Sequence, residues 1–246
     1  MHLVLLVVAA VFVGALIRAT FGFGEAVVSM PLLALLPIGL PTAAALVGLA
    51  GLTVALLSTV RGFRHVDLGS LGRLAVGTVL GVPGGIALLL LVPEPAIAVV
   101  LGALLIAYGC YSLSGAGPPP RVGARWAYPV GVVAGALGSA YNFNGVPVVV
   151  YATMRRWSPA VFRNTMQAYF LVSGVFVVAS QAAGGLWSVQ LGQLYGWSLP
   201  AIVAATVAGH VLHSHIPAHR FDRYVYGLVA ALGAVLLIRV AGSQLS

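Results

Sequence analysis

Two short stretches of this sequence combine residues that end a helix with residues that could hold an ion. The first is Phe21-Gly22-Phe23-Gly24-Glu25 and the second is Tyr141-Asn142-Phe143-Asn144-Gly145. A helix that restarts after such a break carries first-turn N–H groups with no intrahelical partner, and a partial positive charge. Two such starts facing one another make an anion site largely from main chain. Glu25 stands just inside the first start. There it could bind a proton or a cation, or simply complement the helix terminus. Position 25 falls near Gly145 in the second stretch, so the site is not symmetric. Arg163 opens an apolar segment with Asn164, Gln167 and Tyr169 close behind. Asn164 and Gln167, three apart, share a helix face and could line a polar path. Arg163 could fork onto the oxygens of an anion, or snorkel to an interface. His210, His213, His215 and His219 precede Arg220 at spacings that could seat a transition metal, or that mark a basic helix end. No Cys joins them and the acid nearby is Asp222. The expected substrate-binding set is therefore Phe23, Gly24, Glu25, Asn142, Phe143, Asn144, Gly145, Arg163 and Gln167. Glu25 is the expected proton-coupling group, and no resident metal is expected.

The elements that must position these residues follow from composition. Of 246 residues, 61% are hydrophobic and 7% charged, where a soluble domain carries roughly a quarter charged. A soluble core of this size could not hide so much apolar surface; a bilayer can. The net charge of +8 comes from twelve Arg at the ends of apolar runs. They form no basic stripe, so no nucleic acid is expected. Cys110, the single cysteine, lies in an apolar segment and is expected to pack there. Leu3 to Ile17 lacks a charged leader and a small-x-small cleavage site, so it reads as a membrane segment rather than a signal peptide. Helical segments are expected at about 3–20, 24–38, 41–60, 72–91, 95–113, 125–141, 144–155, 163–183, 192–213 and 222–240. Most can cross about 30 Å of hydrocarbon. The second and seventh are too short: fifteen residues reach only about 22 Å.

Arginine placement decides whether those short segments cross. With both crossing and the N-terminus outside, Arg18, Arg61, Arg64, Arg73, Arg121, Arg125, Arg155, Arg156, Arg163, Arg220 and Arg223 lie on the cytoplasmic side. Only Arg239 lies outside, a split of eleven to one. With both turning back, the split is six to six. The positive-inside rule selects the first arrangement, a multi-pass protein of the inner or plasma membrane. A shift of 124 residues lays Gly72 on Gly196, Gly85 on Gly209, Pro93 on Pro217 and Gly109 on Gly233. It also lays the ladder Gly77, Gly81, Gly85 on Ala201, Ala205, Gly209. That small-residue pattern predicts close helix packing. The expected fold is an all-α integral membrane protein of two repeats, residues 1–117 and 118–246, joined through Ser114 to Arg121. Each repeat has about five segments, one of them short and broken. Five is odd, so the repeats are inverted, as in many secondary transporters.

Several motifs resemble those of the TauE/SafE family of sulfite-exporter-type permeases, over essentially the whole chain. In the first half they are Gly22-Phe23-Gly24-Glu25 and the following Pro31-Leu32-Leu33. In the second they are Asn144-Gly145-Val146-Pro147, Tyr151, Arg156-Trp157-Ser158-Pro159 and Phe162-Arg163. The resemblance implies transport of sulfur-containing anions such as sulfite or organosulfonates, inward or outward. Glu25 stands where many members have a further Gly, and Asn142 and Asn144 replace part of the second Gly-rich stretch. The expected function is a secondary transporter whose partners are a small anion and the lipid bilayer, with a homodimer allowed. An uncoupled anion channel and a divalent metal-ion permease are the alternatives. No P-loop, Rossmann fingerprint, HExxH or GxSxG motif is present, so ATP-driven transport would need a partner and no cofactor is expected; no nucleophile–base pair is visible either, so no enzyme is expected.

Overall fold

A computed structural model describes residues 2–59, 65–91, 94–114, 121–215 and 218–243. Arg61, Arg64, Pro93, Pro217 and the Pro-rich part of the linker with its 117/118 boundary lie outside them, as do the side chains of His219, Arg220, Asp222 and Arg239. The described residues form helices α1 (His2–Phe21), α2 (Glu25–Ala34), α3 (Leu40–Thr59), α4 (Leu68–Leu91) and α5 (Glu94–Leu113). A 3-10 turn (Ala124–Trp126) precedes α6 (Ala127–Tyr141), α7 (Gly145–Met154), α8 (Pro159–Ala183), α9 (Val189–Ser214) and α10 (Ala218–Ser243).

Polar caps set where several helices begin, and they lie about a turn before the apolar runs. Ser158 accepts from the Val161 amide at 3.5 Å, with Pro159 in the first turn, so α8 starts four residues before Arg163. Arg163 thus sits a turn inside a helix, and is only 9% exposed, rather than opening one. Ser188 caps α9 through Leu191 N at 3.1 Å. Asp67 caps α4 through Ser70 N at 2.9 Å. Its carboxylate also accepts from the Ser70 hydroxyl at 2.8 Å.

α1, α8 and α9, together with Pro41–Thr59 of α3, are long and apolar enough to cross a membrane. α2 and α7 have ten residues each, a rise of about 15 Å. α2 doubles back along α1: the Ser29 hydroxyl donates to Ala10 O at 3.2 Å. The most extensive helix pairs are α4 with α6, α5 with α10, α1 with α9, and α3 with α8. Small residues make these seams close. A Cβ on Gly77 or Gly81 would strike the α6 backbone at Tyr128 and Val132, and one on Gly209 would strike Ala19 of α1. Many large apolar side chains stay exposed on the helix exteriors, among them Leu5, Leu56, Leu80 and Val207. Contiguous apolar surface on this scale needs a partner, and lipid supplies it. Cys110, expected to pack, is instead exposed on that exterior.

Candidate functional site

Both breaks are built from left-handed backbone. Gly22 (φ 91°) and Gly24 (φ 95°) turn the chain between α1 and α2. Asn142 (φ 59°) turns it between α6 and α7. Among residues with a Cβ, Asn tolerates this region best, which is how it stands in for a glycine. Gly22 N bonds Arg18 O at 2.7 Å, and Asn142 N bonds Gly138 O at 3.0 Å, the same closing bond in each break. Phe23 and Phe143 follow, both buried. The two breaks are therefore in register at 120 residues, not the 124 that aligns the later segments.

The first break encloses a buried ion pair. Arg18 Nη1 lies 2.6 Å from Glu25 Oε2, and the two side chains are 7% and 4% exposed. The Arg18 guanidinium carbon stands 4.3 Å from the centre of the Phe170 ring. Arg18 Nε donates to Gln167 Oε1 at 3.4 Å, and Gln167 Nε2 donates to Arg18 O at 3.2 Å. Gly51 leaves room for the pair: a Cβ there would run into both charged ends. Arg18 Nη2 is buried and, among the described residues, has no hydrogen-bond partner. A buried, unpaired donor on a charged group is unfavourable unless something fills its place.

The Arg18 side chain belongs to the lining of a cavity. Phe23, Gly24 and Glu25 line it from the first break, and Asn142, Phe143, Asn144 and Gly145 from the second. Val47, Leu105, Phe170 and Leu232 supply apolar walls. Its free space is about 70 Å³, against the roughly 10–15 Å³ that one water requires by such a measure. It suits a small, largely dehydrated ion.

The expected site residues divide three ways. Seven of them share this cavity, two short helix starts included. Gln167 does not line it; it braces Arg18 from behind. Arg163, expected at the anion site, is elsewhere. Its Nε and Nη2 donate to Ala19 O at 3.0 and 2.7 Å, near the C-terminal end of α1, and it lines a separate space with Asn164, His210 and His213. The favourable meeting of an arginine with terminal helix carbonyls explains the placement. The Asn amides are partly committed too, Asn142 Nδ2 to Ala44 O at 3.4 Å and Asn144 Nδ2 to Ser173 Oγ at 3.1 Å. The residue that sequence reasoning missed is Arg18, taken as a topology signal at the cytoplasmic side. The available signal was a second charge inside the same apolar stretch, seven residues from Glu25 across a glycine break.

The histidines do not gather around Glu25. His210 and His213 line the second space and His215 is exposed. Among the described residues no three His, Cys, Asp or Glu side chains are grouped to hold a metal ion.

Compared with known proteins, the chain matches the family model described as sulfite exporter TauE/SafE over residues 6–236. No curated protein and no solved structure matches it.

Proposed function

The chain belongs to the TauE/SafE sulfite exporter family, and on that premise we propose that it is a secondary transporter of a small sulfur-containing anion of the sulfite or organosulfonate type. The family is one of membrane permeases, which supports reading the chain as a permease. The observation that carries the substrate reading is Arg18: a buried guanidinium with Nη2 unpartnered, in the wall of a cavity flanked by the starts of α2 and α7. Positive charge, unpaired donors and a small volume together suit an oxyanion.

Glu25 neutralises Arg18 while the cavity is empty. An anion on Nη2 adds a negative charge beside Glu25, and a proton on Glu25 offsets it. Anion and proton therefore favour one another, and the coupling is reciprocal. Alternating access would come from rocking one five-helix half against the other. The helix pairing supports inverted halves. Exchanging each of α1–α5 for its counterpart in α6–α10 turns the α1–α9 pair into α4–α6, and leaves α3–α8 and α5–α10 as they are. The arginine distribution supports an outside N-terminus in the cell membrane. Among the described residues Glu25 lines the inner cavity and His65, His210 and His213 line a separate space, which favours the anion reading over the metal-permease alternative.

Sulfite counterflow in proteoliposomes tests the reading. Saturable counterflow that Arg18→Gln abolishes, and whose pH dependence Glu25→Gln removes, is the expected result. Currents that follow voltage alone, without counterflow, would instead assign an uncoupled channel. A thermal-shift screen of sulfite, thiosulfate, organosulfonates and carboxylates ranks the anions, because a ligand of the folded state raises apparent stability.

A further inference from the structure

The residues that the inner cavity leaves unused surround a second space. Ser58, His65, Arg163, Asn164, His210 and His213 line it. It lies next along two helices that the inner cavity shares. On α3, Ser58 follows the inner-cavity residue Leu52 by six positions, and on α8 Arg163 precedes Phe170 by seven. At 1.5 Å per residue, the two steps are about 9 and about 10.5 Å. α3 and α8 pack against each other. Between the two spaces stand Arg18 and Gln167, joined by two hydrogen bonds. The second space holds about 250 Å³ against about 70 Å³ in the first.

We propose that this second space is a vestibule with its own anion site, taking a small dissolved oxyanion with part of its hydration before it passes Arg18 and Gln167. The charge of the lining selects an anion. No Asp or Glu is among its described residues, and Arg163 carries a cationic guanidinium. A cation would meet that charge at close range. Ser58 adds an independent sign of a missing ligand. The neighbouring Thr59 bonds back to Ala55 O at 2.6 Å, the usual outlet for a hydroxyl inside a helix. Among the described residues Ser58, 5% exposed, makes no such bond, and its Oγ has no partner. That Oγ is shielded in the wall, and rotation of the side chain would bring it to an oxyanion in the vestibule, where Asn164 would add an amide donor. Arg163 is pinned on Ala19 O, so its charge is held in the wall rather than swinging into the path. The larger volume allows the ion to keep water here; the smaller inner cavity strips it.

Calorimetric titration of sulfite into the full chain, in a phosphate-free detergent, tests the vestibule. Two classes of site per chain are expected. The Ser58→Ala/Asn164→Ala double variant should weaken the outer one about tenfold or more, as two lost hydrogen bonds imply, and leave the inner one unchanged. Arg18→Gln should remove the inner site and leave the outer. If the double variant does not fold, His65→Gln, at an exposed position, should lower the outer affinity alone. A single site in the native chain, lost entirely in Arg18→Gln, overturns the vestibule. So does uptake of phosphatidylglycerol with no binding of dissolved sulfite, which would assign the space to a lipid headgroup. An Arg18→Gln chain that binds as the native one does, beside an outer loss in the double variant, upholds the vestibule while sinking the inner site.

Discussion

Arg18 and Glu25 hold opposite charges 2.6 Å apart with almost no water around them. Neither is tolerable alone in such a place. Removing one partner of a buried pair leaves an uncompensated charge and costs about 3–5 kcal/mol, whereas replacing both by uncharged groups of similar volume leaves no such charge. Arg18→Gln should therefore lower unfolding stability in detergent by about that amount. Arg18→Gln/Glu25→Gln should regain most of it yet still fail to bind the anion. That separation of stability from binding is the useful readout: equal destabilisation in the single and double variants would mean that the pair is not what holds this region. Sequence reasoning found Glu25 because a carboxylate beside a glycine break is conspicuous locally. It misread Arg18 because an arginine at the end of an apolar run has an ordinary explanation at the membrane surface. Only the folded chain brings Gln167, 149 positions away, and Phe170 against it.

At the scale of elements, helix starts and helix seams carry the weight. Asp67 caps α4 and also faces Arg155 Nη2 at 3.8 Å, tying the first half of the chain to the second. Burial by itself would raise its carboxyl, but the Ser70 amide and hydroxyl and then Arg155 outweigh it and hold it below the usual carboxylate range. A carboxyl depressed in the folded state stabilises above its unfolded value, about 3.9, and that contribution fades as pH falls through the folded value. Thermal unfolding between about pH 7 and pH 3 should show a steeper acid loss in the native chain than in Asp67→Asn. Parallel acid limbs would remove the cap from the account. The α4–α6 seam makes a second prediction. Gly81→Ala forces a methyl into the Val132 carbonyl and should cost about 1–3 kcal/mol. Gly72→Ala, on the same helix with open space around it, should be neutral or slightly stabilising. Thermal melts of the two variants decide the matter, and similar melts would refute the close seam. The ladder of Gly77, Gly81 and Gly85 was legible because spacing by four places residues on one helix face. The true starts of α4, α8 and α9 were not, because apolar runs do not include the polar caps Asp67, Ser158 and Ser188.

For the whole molecule, the arginine distribution makes a sidedness prediction. In a Cys110→Ser background, Arg156→Cys should be labelled by an impermeant thiol reagent only from the cytoplasmic side, and Trp187→Cys only from outside. Labelling of both from one side would break the proposed arrangement of the halves. The sequence by itself determined the helical segments and the places where they stop. Apolar run length and the helix-breaking Gly and Asn act within a few residues of one another. It also pointed both breaks toward one place, and residues of both line one cavity. Tertiary structure alone decided which charges meet. It paired Arg18 with Glu25, sent Arg163 to the carbonyl of Ala19, and gathered Asn164 with His210 and His213 around a second space. A buried charge takes whatever partner packing brings within reach, and that partner can come from any point along the chain.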